Sequence, residues 1–261
     1  MKLYFASDSN KIDFLVQNNV SNILLAYPIK ESDIKQCKKH NMSLFVDSGA
    51  YSVSTGKKKI KHTDYIDFIK RAKPDLYASL DVIGDPKASK INLLKEVKAG
   101  LNPIPTYHQG EPIELLEYYI DNFSYISLGG MVGTSSNKLK IFLDKAWSKI
   151  AKKRMDIKIH AFGNLGNLLK DYPFYSADGT HWLYACIVRA VAKFDNKRQG
   201  IKFNCPLTTK VGRQKSKNSW EQLATTFEED DGRLSQSVQA YKDYEYFLTD
   251  LWSKRGVVWN G

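Results

Sequence analysis

Short apolar runs alternate along this chain with longer segments in which apolar residues recur every three or four positions. The short runs have the composition of buried strands, and the longer segments have the spacing of amphipathic helices. This pattern predicts eight strands, over residues 3–6, 22–27, 44–46, 76–80, 103–107, 125–128, 158–162 and 174–177.

Segments with helical spacing separate these strands; examples are the apolar positions Tyr65 to Ile69, Leu115 to Ile120, Leu139 to Ile150 and, after the last strand, Trp182 to Val191. Strands and helices that alternate in this way form right-handed βαβ units with a parallel sheet. Since eight units can close on themselves, we expect an α/β fold of the (β/α)8 TIM-barrel type. A dinucleotide-binding fold is disfavoured because no Gly-x-Gly-x-x-Gly follows the first strand.

The chain changes character after the eighth unit. Residues 200–219 are basic and polar, which predicts a loop, and residues 234–254 have the spacing of an amphipathic helix. We therefore divide the chain into a catalytic barrel over residues 1–197 and a C-terminal extension over residues 198–261 that packs on the barrel.

The composition is that of a soluble globular protein, with 43% hydrophobic and 26% charged residues in 261. No run approaches the roughly 20 apolar residues of a membrane span, so we expect a cytoplasmic protein, in the host cytoplasm if a phage encodes it, without a membrane partner. The three cysteines lie far apart and include no Cys-x-x-Cys pair. A disulfide framework and a cysteine-rich zinc site are therefore not indicated.

The formal net charge of +11, from 39 Lys and Arg against 28 Asp and Glu, favours a polyanionic partner. The positive charge is concentrated in two places: a lysine run beside the Asp47 loop and a stretch without acids over residues 196–220. We expect nucleic-acid contacts there, although solvated loops would have the same composition. The predicted contacts are Lys57, Lys58, Lys59, Lys61, Lys197, Arg198, Lys210, Arg213, Lys215 and Lys217.

Polar or glycine-rich residues follow most of the predicted strands, and in a barrel these positions share one mouth. Three aspartates, Asp47, Asp81 and Asp178, lie among them. Carboxylates on opposite sides of a mouth are what glycosidic chemistry requires, one as nucleophile and one as acid/base. Gly49, without a Cβ, would let a flat ligand approach. A simpler interpretation is that Asp47 only caps a helix.

Two further sets of residues have open interpretations. Asp85 competes with Asp81 for the binding role, although it is equally suited to cap the helix after Pro86. His108, His160 and His181 follow or end strands, but they lack metal-ligand spacing, and a lone histidine there is more often a hydrogen-bonded structural group.

Several motifs together resemble the tRNA-guanine transglycosylase superfamily, which exchanges guanine for a 7-deazaguanine. Asp47-Ser48-Gly49 is similar to its Asp-Ser-Gly-Gly-Phe-Gln, and His108-Gln109-Gly110 to its Val-Gln-Gly. Gly129-Gly130-Met131 resembles its Gly-Gly-Leu, and Ala161-Phe162-Gly163 its Leu-Met-Gly. Asp178 stands where the family's nucleophile ends the last strand, and order and spacing agree over about residues 1 to 195.

The resemblance implies a role for each of these positions. Asp178 would attack the anomeric carbon and Asp47 would be the general acid/base. Asp81 would read the N1 and exocyclic amine edge of the purine. Gln109 and the Gly130 backbone would contact O6 or the ring, and Met131 and Phe162 would sandwich it; Ser48, Gly49 and Gly129 complete the expected base site.

Departures from the family pattern indicate the substrate. The Cys-x-Cys-x-x-Cys and histidine zinc motif of the tRNA enzymes is missing, and Ala50-Tyr51-Ser52 replaces Gly-Phe-Gln. Asp178-Gly179-Thr180-His181-Trp182 looks like the final strand motif of zinc-less transglycosylases of phages and bacterial modification islands, which act on DNA. We therefore expect exchange of guanine in DNA for a 7-deazaguanine such as 7-cyano-7-deazaguanine, without a metal or other cofactor.

Three alternatives remain open at this point. A tRNA transglycosylase could have replaced its zinc subdomain with the basic loop over residues 197–217. A non-catalytic nucleic-acid-binding barrel would not need both Asp47 and Asp178. A glycosidase or phosphosugar lyase would not need the basic stretches. The sequence leaves the oligomeric state undecided.

Overall fold

A computed structural model of the chain describes residues 1–56, 59–187, 191–204 and 231–259. Some of the expected nucleic-acid contacts lie outside these residues: Lys57, Lys58, Lys210, Arg213, Lys215 and Lys217.

Eight parallel strands form the centre of the fold. They are β1 (Lys2–Ser7), β2 (Asn22–Ala26), β3 (Ser43–Asp47), β4 (Leu76–Tyr77), β5 (Thr106–His108), β6 (Tyr125–Gly129), β7 (Lys158–Ala161) and β8 (Ser176–Gly179). Their order in the sheet is β4-β3-β2-β1-β8-β7-β6-β5. A parallel bridge between Ala78 and Ile104 joins the two ends of this order, which confirms the predicted TIM-barrel fold.

Helices connect the strands and cover the outside of the sheet. They are α1 (Ile12–Gln17), α2 (Glu31–Lys39), α3 (Ala50–Ser54), α4 (His62–Ala72), α5 (Pro86–Lys98), α6 (Ile113–Asn122), α7 (Ser136–Lys153) and α8 (Tyr184–Ile187). Their buried apolar faces and the outward residues of the strands form one large hydrophobic cluster, which includes Leu3, Leu44, Leu116 and Leu143. This layer supplies most of the buried apolar surface that stabilises the fold.

Successive side chains of a strand point to opposite faces of the sheet. The inward positions lower in the barrel are filled by a second, smaller cluster that includes Tyr4, Leu24, Phe45 and Ile104. At the carboxyl ends of the strands, the inward positions instead hold the polar residues Asp47 in β3, His108 in β5 and Asp178 in β8. The barrel therefore has an apolar floor beneath a polar mouth.

The observed strands differ from the predicted ones at several ends. β4 stops at Tyr77, β5 begins at Thr106, and β8 is Ser176–Gly179 rather than residues 174–177. Strand bounds follow the hydrogen-bonded register rather than apolar content: Ser176 pairs with Lys2 and Asp178 with Tyr4. Asp178 consequently lies within its strand.

The segment after the barrel contains a hairpin that the sequence pattern did not predict. The helix expected over residues 182–191 ends at Ile187, and Val191–Asp195 (β9) pairs antiparallel with Gly200–Asn204 (β10). The predicted domain boundary after residue 197 lies in the turn of this hairpin.

The final helix is α9 (Asp231–Lys254), as the pattern predicted. Several of its apolar residues, among them Val238 and Leu248, are buried in the main cluster. The Trp252 indole donates to the Leu169 carbonyl at 2.9 Å, and Ser237 Oγ donates to the Trp182 carbonyl at 2.6 Å. The helix thus packs on its own barrel. Among the described residues, no helix is long and apolar enough to cross a membrane.

Candidate active site

The carboxyl group of Asp47 lies among like charges at the mouth. Burial is the main cause that raises its pKa to about 7, and the charges of Asp81 and Asp178 raise it further. The backbone N–H groups of Gly49 and Ser48 oppose this rise. Asp47 therefore exchanges a proton near neutral pH, which suits a group that acts as acid in one step and as base in the next.

The carboxyl group of Asp178 is a hydrogen-bond acceptor that is held by two partners. Its Oδ1 accepts from the Gly163 backbone N–H at 2.8 Å and from His160 Nε2 at 3.2 Å. The residue is only 5% exposed. Both hydrogen bonds use Oδ1, so Oδ2 is the oxygen that has no donor among the residues the structure describes.

A chain of buried groups links Tyr125 to His160. Tyr125 Oη lies 2.5 Å from Ser176 Oγ, and Ser176 Oγ lies 2.6 Å from His160 Nδ1. Burial raises the pKa of Tyr125 well above 10, so the phenol stays protonated. With Tyr125 donating to Ser176 and Ser176 donating to Nδ1, the proton of His160 is on Nε2 and the whole chain donates toward Asp178.

Asp81 has one polar partner at each of its two oxygens. Ser48 Oγ donates to Oδ1 at 3.0 Å, and His108 Nε2 lies 3.0 Å from Oδ2. Asp85, the competing candidate, accepts from the backbone N–H groups of Lys87 and Ala88 at the start of α5. Asp85 therefore caps the N-terminus of α5, which is the alternative role expected for it.

His108 stands between two carboxylates. Its Nε2 faces Asp81, and its Nδ1 lies 3.6 Å from Glu111 Oε1. Burial alone would lower the pKa of His108, but the close contacts with Asp81 and Glu111 and the charges of both outweigh it and raise this pKa to about 9. His108 is thus an imidazolium at neutral pH. Sequence reasoning treated it as a structural group and missed Glu111 altogether.

A second buried pair supports the loop that carries Asp81. Glu96 in α5 is fully buried, and its Oε1 accepts from the Leu80 backbone N–H at 3.0 Å and lies 2.8 Å from His62 Nε2. Because Leu80 directly precedes Asp81, this anchor fixes where the chain leaves the sheet.

The glycines of the mouth are required for different structural reasons. At Gly129, an added Cβ would lie 2.8 Å from His108 Cδ2, so the missing side chain makes room for the imidazole. Gly130 has φ +74° and is exposed, close to the Gln109 backbone. At Gly49, an added Cβ would lie 2.3 Å from the Tyr27 carbonyl oxygen, so this glycine serves close backbone packing and not the approach of a ligand.

Replacing Gly49 by alanine is expected to lower the free energy of unfolding by about 2–4 kcal/mol, because the methyl group meets backbone and φ is +78°. Urea denaturation measures this. Gly232→Ala is the matched control, since its added Cβ meets nothing within 4 Å, and it should leave stability the same or slightly higher. Equal stability of Gly49→Ala and the wild type would contradict this account of the glycine.

The expected sandwich of Met131 and Phe162 is not formed. Met131 is 4% exposed and belongs to the large outer cluster. Phe162 packs against the inner cluster, with its ring 5.5 Å from that of Phe45. The two side chains lie on different sides of the sheet because Phe162 follows β7 at an inward position, whereas Met131 turns outward after Gly130.

Gln109 lies at the edge of the mouth. Its Oε1 accepts from Thr134 Oγ1 at 3.4 Å, and it lines a groove of about 320 Å³ between the β5–α6 loop and α7. The other wall of this groove carries Lys138, Ile141 and Lys145, and Ile141 is 71% exposed.

Of the basic residues expected to contact nucleic acid, those that the structure describes are solvent-accessible. Lys59, Lys61, Lys197 and Arg198 are exposed, the last two in the turn of the β9–β10 hairpin. Arg198 lies 3.9 Å from Asp195, an exposed and loose pair. Within the described parts of the chain, no three His, Cys, Asp or Glu residues are grouped so that they could hold a metal ion.

Comparison with known proteins identifies similar folds only. No family model matches the chain, and no curated protein does. The native KDPGal structure is 12% identical, with a TM-score of 0.48 over 94% of this chain and 97% of that one. The 3-hexulose-6-phosphate synthase of Salmonella typhimurium is 13% identical, with a TM-score of 0.43 over 69% and 88%. KGPDC of Streptococcus mutans is 9% identical, at 0.42 over 68% and 86%.

Proposed function

We propose that this protein is a base-exchange transglycosylase that replaces guanine in DNA with a 7-deazaguanine through a covalent aspartyl-glycosyl intermediate. The observation that carries the proposal is the contrast between Asp47 and Asp178 in one mouth. Asp178 is an acceptor fixed by two donors, and Asp47 has a pKa of about 7. Two carboxyl groups held in different environments of one site are typical of retaining glycosyl transfer.

In the first step, the target guanosine leaves the base stack and enters the mouth, which requires a few kcal/mol of unstacking. Asp178 Oδ2 attacks C1′ of the sugar, and the bond between C1′ and N9 of guanine breaks. The departing guanine takes up the proton of Asp47. The sugar is then held on Asp178 as an ester, and Asp47 is a carboxylate.

In the second step, the incoming 7-deazaguanine occupies the place of guanine. Asp47 takes the proton from N9 of this base, and N9 attacks C1′. The ester bond to Asp178 breaks, which restores the Asp178 carboxylate and the protonated Asp47. One carboxyl group thus acts as acid and then as base, and the configuration at C1′ is retained after two inversions.

Two further residues of the mouth are suited to bind a purine base. Asp81 is available as an acceptor for the N1 and exocyclic amine edge, and Gln109 lies at the edge of the mouth. A Schiff-base aldolase would need an amine in the mouth. The inward residues at the carboxyl ends of the described strands include no lysine, so this chemistry is less well supported.

Unpaired cations beside the mouth support a nucleic-acid substrate. Lys138 and Lys145 line the groove next to Gln109, and neither forms an ion pair with a residue that the structure describes. Further along the same helix, Lys149 pairs with Glu117 and Lys153 with Asp121. Lys138 and Lys145 therefore leave free positive charge on the groove beside Gln109, where the phosphates that flank an extruded nucleotide would lie.

Removing Lys138 and Lys145 together, as a double alanine variant, is expected to weaken binding of single-stranded DNA about tenfold at low salt. The slope of log affinity against log salt should fall by about two, since each lysine neutralises one phosphate. The matched control is the Lys149→Ala, Lys153→Ala double variant, whose lysines are already paired. An equal loss in both double variants would mean that only net charge matters and that the groove does not hold the strand.

The test of the proposed function is exchange of radiolabelled guanine into single-stranded DNA, double-stranded DNA and bulk tRNA. We expect label in DNA with the wild type and none with Asp178→Asn. Label in tRNA alone would keep the mechanism and contradict the DNA substrate. Label in no nucleic acid would contradict the proposal.

A further inference from the structure

We propose that His108 is a positioning residue that sets base specificity: with Glu111 behind it, it orients Asp81 as a carboxylate that accepts two N–H donors from guanine. This inference rests on the proposed function and extends it to His108 and Glu111, two residues that had no predicted role.

Each oxygen of a carboxylate can accept two hydrogen bonds. At Asp81, Ser48 Oγ uses one position on Oδ1 and His108 Nε2 uses one on Oδ2. One position then remains on each oxygen. Two acceptors side by side match the two donors at the guanine edge, N1–H and the exocyclic amine. Ser48 and His108 fix the rotation of the carboxylate that this match requires.

His108 places a positive charge beside Asp81. Three aspartates share the mouth, and an imidazolium 3.0 Å from Asp81 Oδ2 offsets part of their mutual repulsion. A carboxylate beside this cation can accept from both N–H groups of the guanine edge.

Glu111 holds His108 in place from the other side. Its Oε2 accepts from the backbone N–H of His108 at 2.8 Å, and its Oε1 faces the ring Nδ1 at 3.6 Å. The side chains of His108, Asp81 and Glu111 are 14%, 9% and 6% exposed. Burying three ionisable side chains this deeply costs desolvation energy. This cost is consistent with a specific role for the three residues.

Gly129 provides an independent sign that the site is shaped around this ring. A Cβ at residue 129 would lie 2.8 Å from Cδ2 and 2.9 Å from Nε2 of His108, and 2.8 Å from Cγ2 of Thr106 on the same strand. Gly129→Ala should therefore displace the imidazole from Asp81 without removing any charge, and it should reproduce the effect of losing His108.

Equilibrium dialysis with radiolabelled guanine and radiolabelled hypoxanthine tests the inference, because hypoxanthine lacks the exocyclic amine. The wild type should bind guanine about tenfold or more tightly than hypoxanthine. His108→Asn and Gly129→Ala should lose most of that preference. The control, His40→Asn, changes an exposed histidine at the end of α2 and should keep it.

A conservative variant separates positioning from a merely structural role. In His108→Gln a neutral N–H donor replaces the imidazolium, so the preference for guanine should be larger than in His108→Asn. A purely structural histidine would give the same preference in both variants.

The result that overturns the inference is a His108→Asn protein that folds and still prefers guanine as the wild type does. This failure is distinct from failure of the proposed function. If the wild type exchanges label into DNA but His108→Asn keeps the preference for guanine, only the inference is wrong. If the preference for guanine depends on His108 but the wild type exchanges no label, only the proposed function is wrong.

Discussion

Replacing Asp178 by asparagine is expected to lower the rate of base exchange by roughly a thousandfold or more while leaving the fold intact. The amide keeps the shape of the carboxylate and an oxygen that can accept from the Gly163 N–H. It does not supply the anionic oxygen that must attack C1′. Exchange of labelled guanine into DNA measures the loss, and circular dichroism checks the fold.

The matched control for Asp178 is Asp75→Asn. Asp75 also accepts from a backbone N–H, that of Leu44 at 3.0 Å, but it precedes β4 at the opposite end of the barrel. This variant should exchange label at the wild-type rate. If Asp178→Asn, correctly folded, exchanged at the same rate as Asp75→Asn, another group would have to be the nucleophile.

Replacing Asp47 by asparagine should have two opposite effects. Exchange should fall about a hundredfold or more, because no group then donates to the leaving base or accepts from the incoming one. Stability should rise at alkaline pH. The pKa of Asp47 is about 7 in the folded protein and near 3.8 when unfolded, so the folded state binds more protons between these values.

The sign of the pH effect follows from this difference. As pH rises from about 4 to about 7, ionisation of Asp47 favours the unfolded chain and costs the wild type on the order of 4 kcal/mol. Asp47→Asn does not ionise and avoids this cost. Its melting temperature should exceed that of the wild type at about pH 8 and approach it at about pH 4. A melting temperature below the wild type's at alkaline pH would contradict the buried, like-charged environment of Asp47.

Much of the barrel could be predicted from the sequence because it depends on local patterns. Apolar runs near Leu3, Leu44 and Ile126 are long enough to identify strands, and their alternation with helices predicts the parallel sheet. Asp47 and Asp178 could be assigned to one mouth because the topology brings all strand ends together. The position of β8 within residues 174–179 could not be predicted, since pairing with β1 determines it.

The parts of the site that escaped prediction depend on contacts between separate loops. Nothing near His108 in sequence shows that Asp81 lies 3.0 Å from its ring. Glu111 three residues later was the one local signal. The sandwich of Met131 and Phe162 failed for the same reason, because sequence shows the residue types but not which face of the sheet each one occupies.

Detection of the covalent intermediate tests the central claim most directly. The wild type is mixed with a DNA oligonucleotide that contains guanine, without an incoming base, and the reaction is stopped with acid and digested for mass spectrometry. We predict a peptide in which Asp178 carries the sugar of the abasic strand, with free guanine released in equal amount, and no adduct in Asp178→Asn. Release of guanine by the wild type without any adduct on Asp178 would contradict the account.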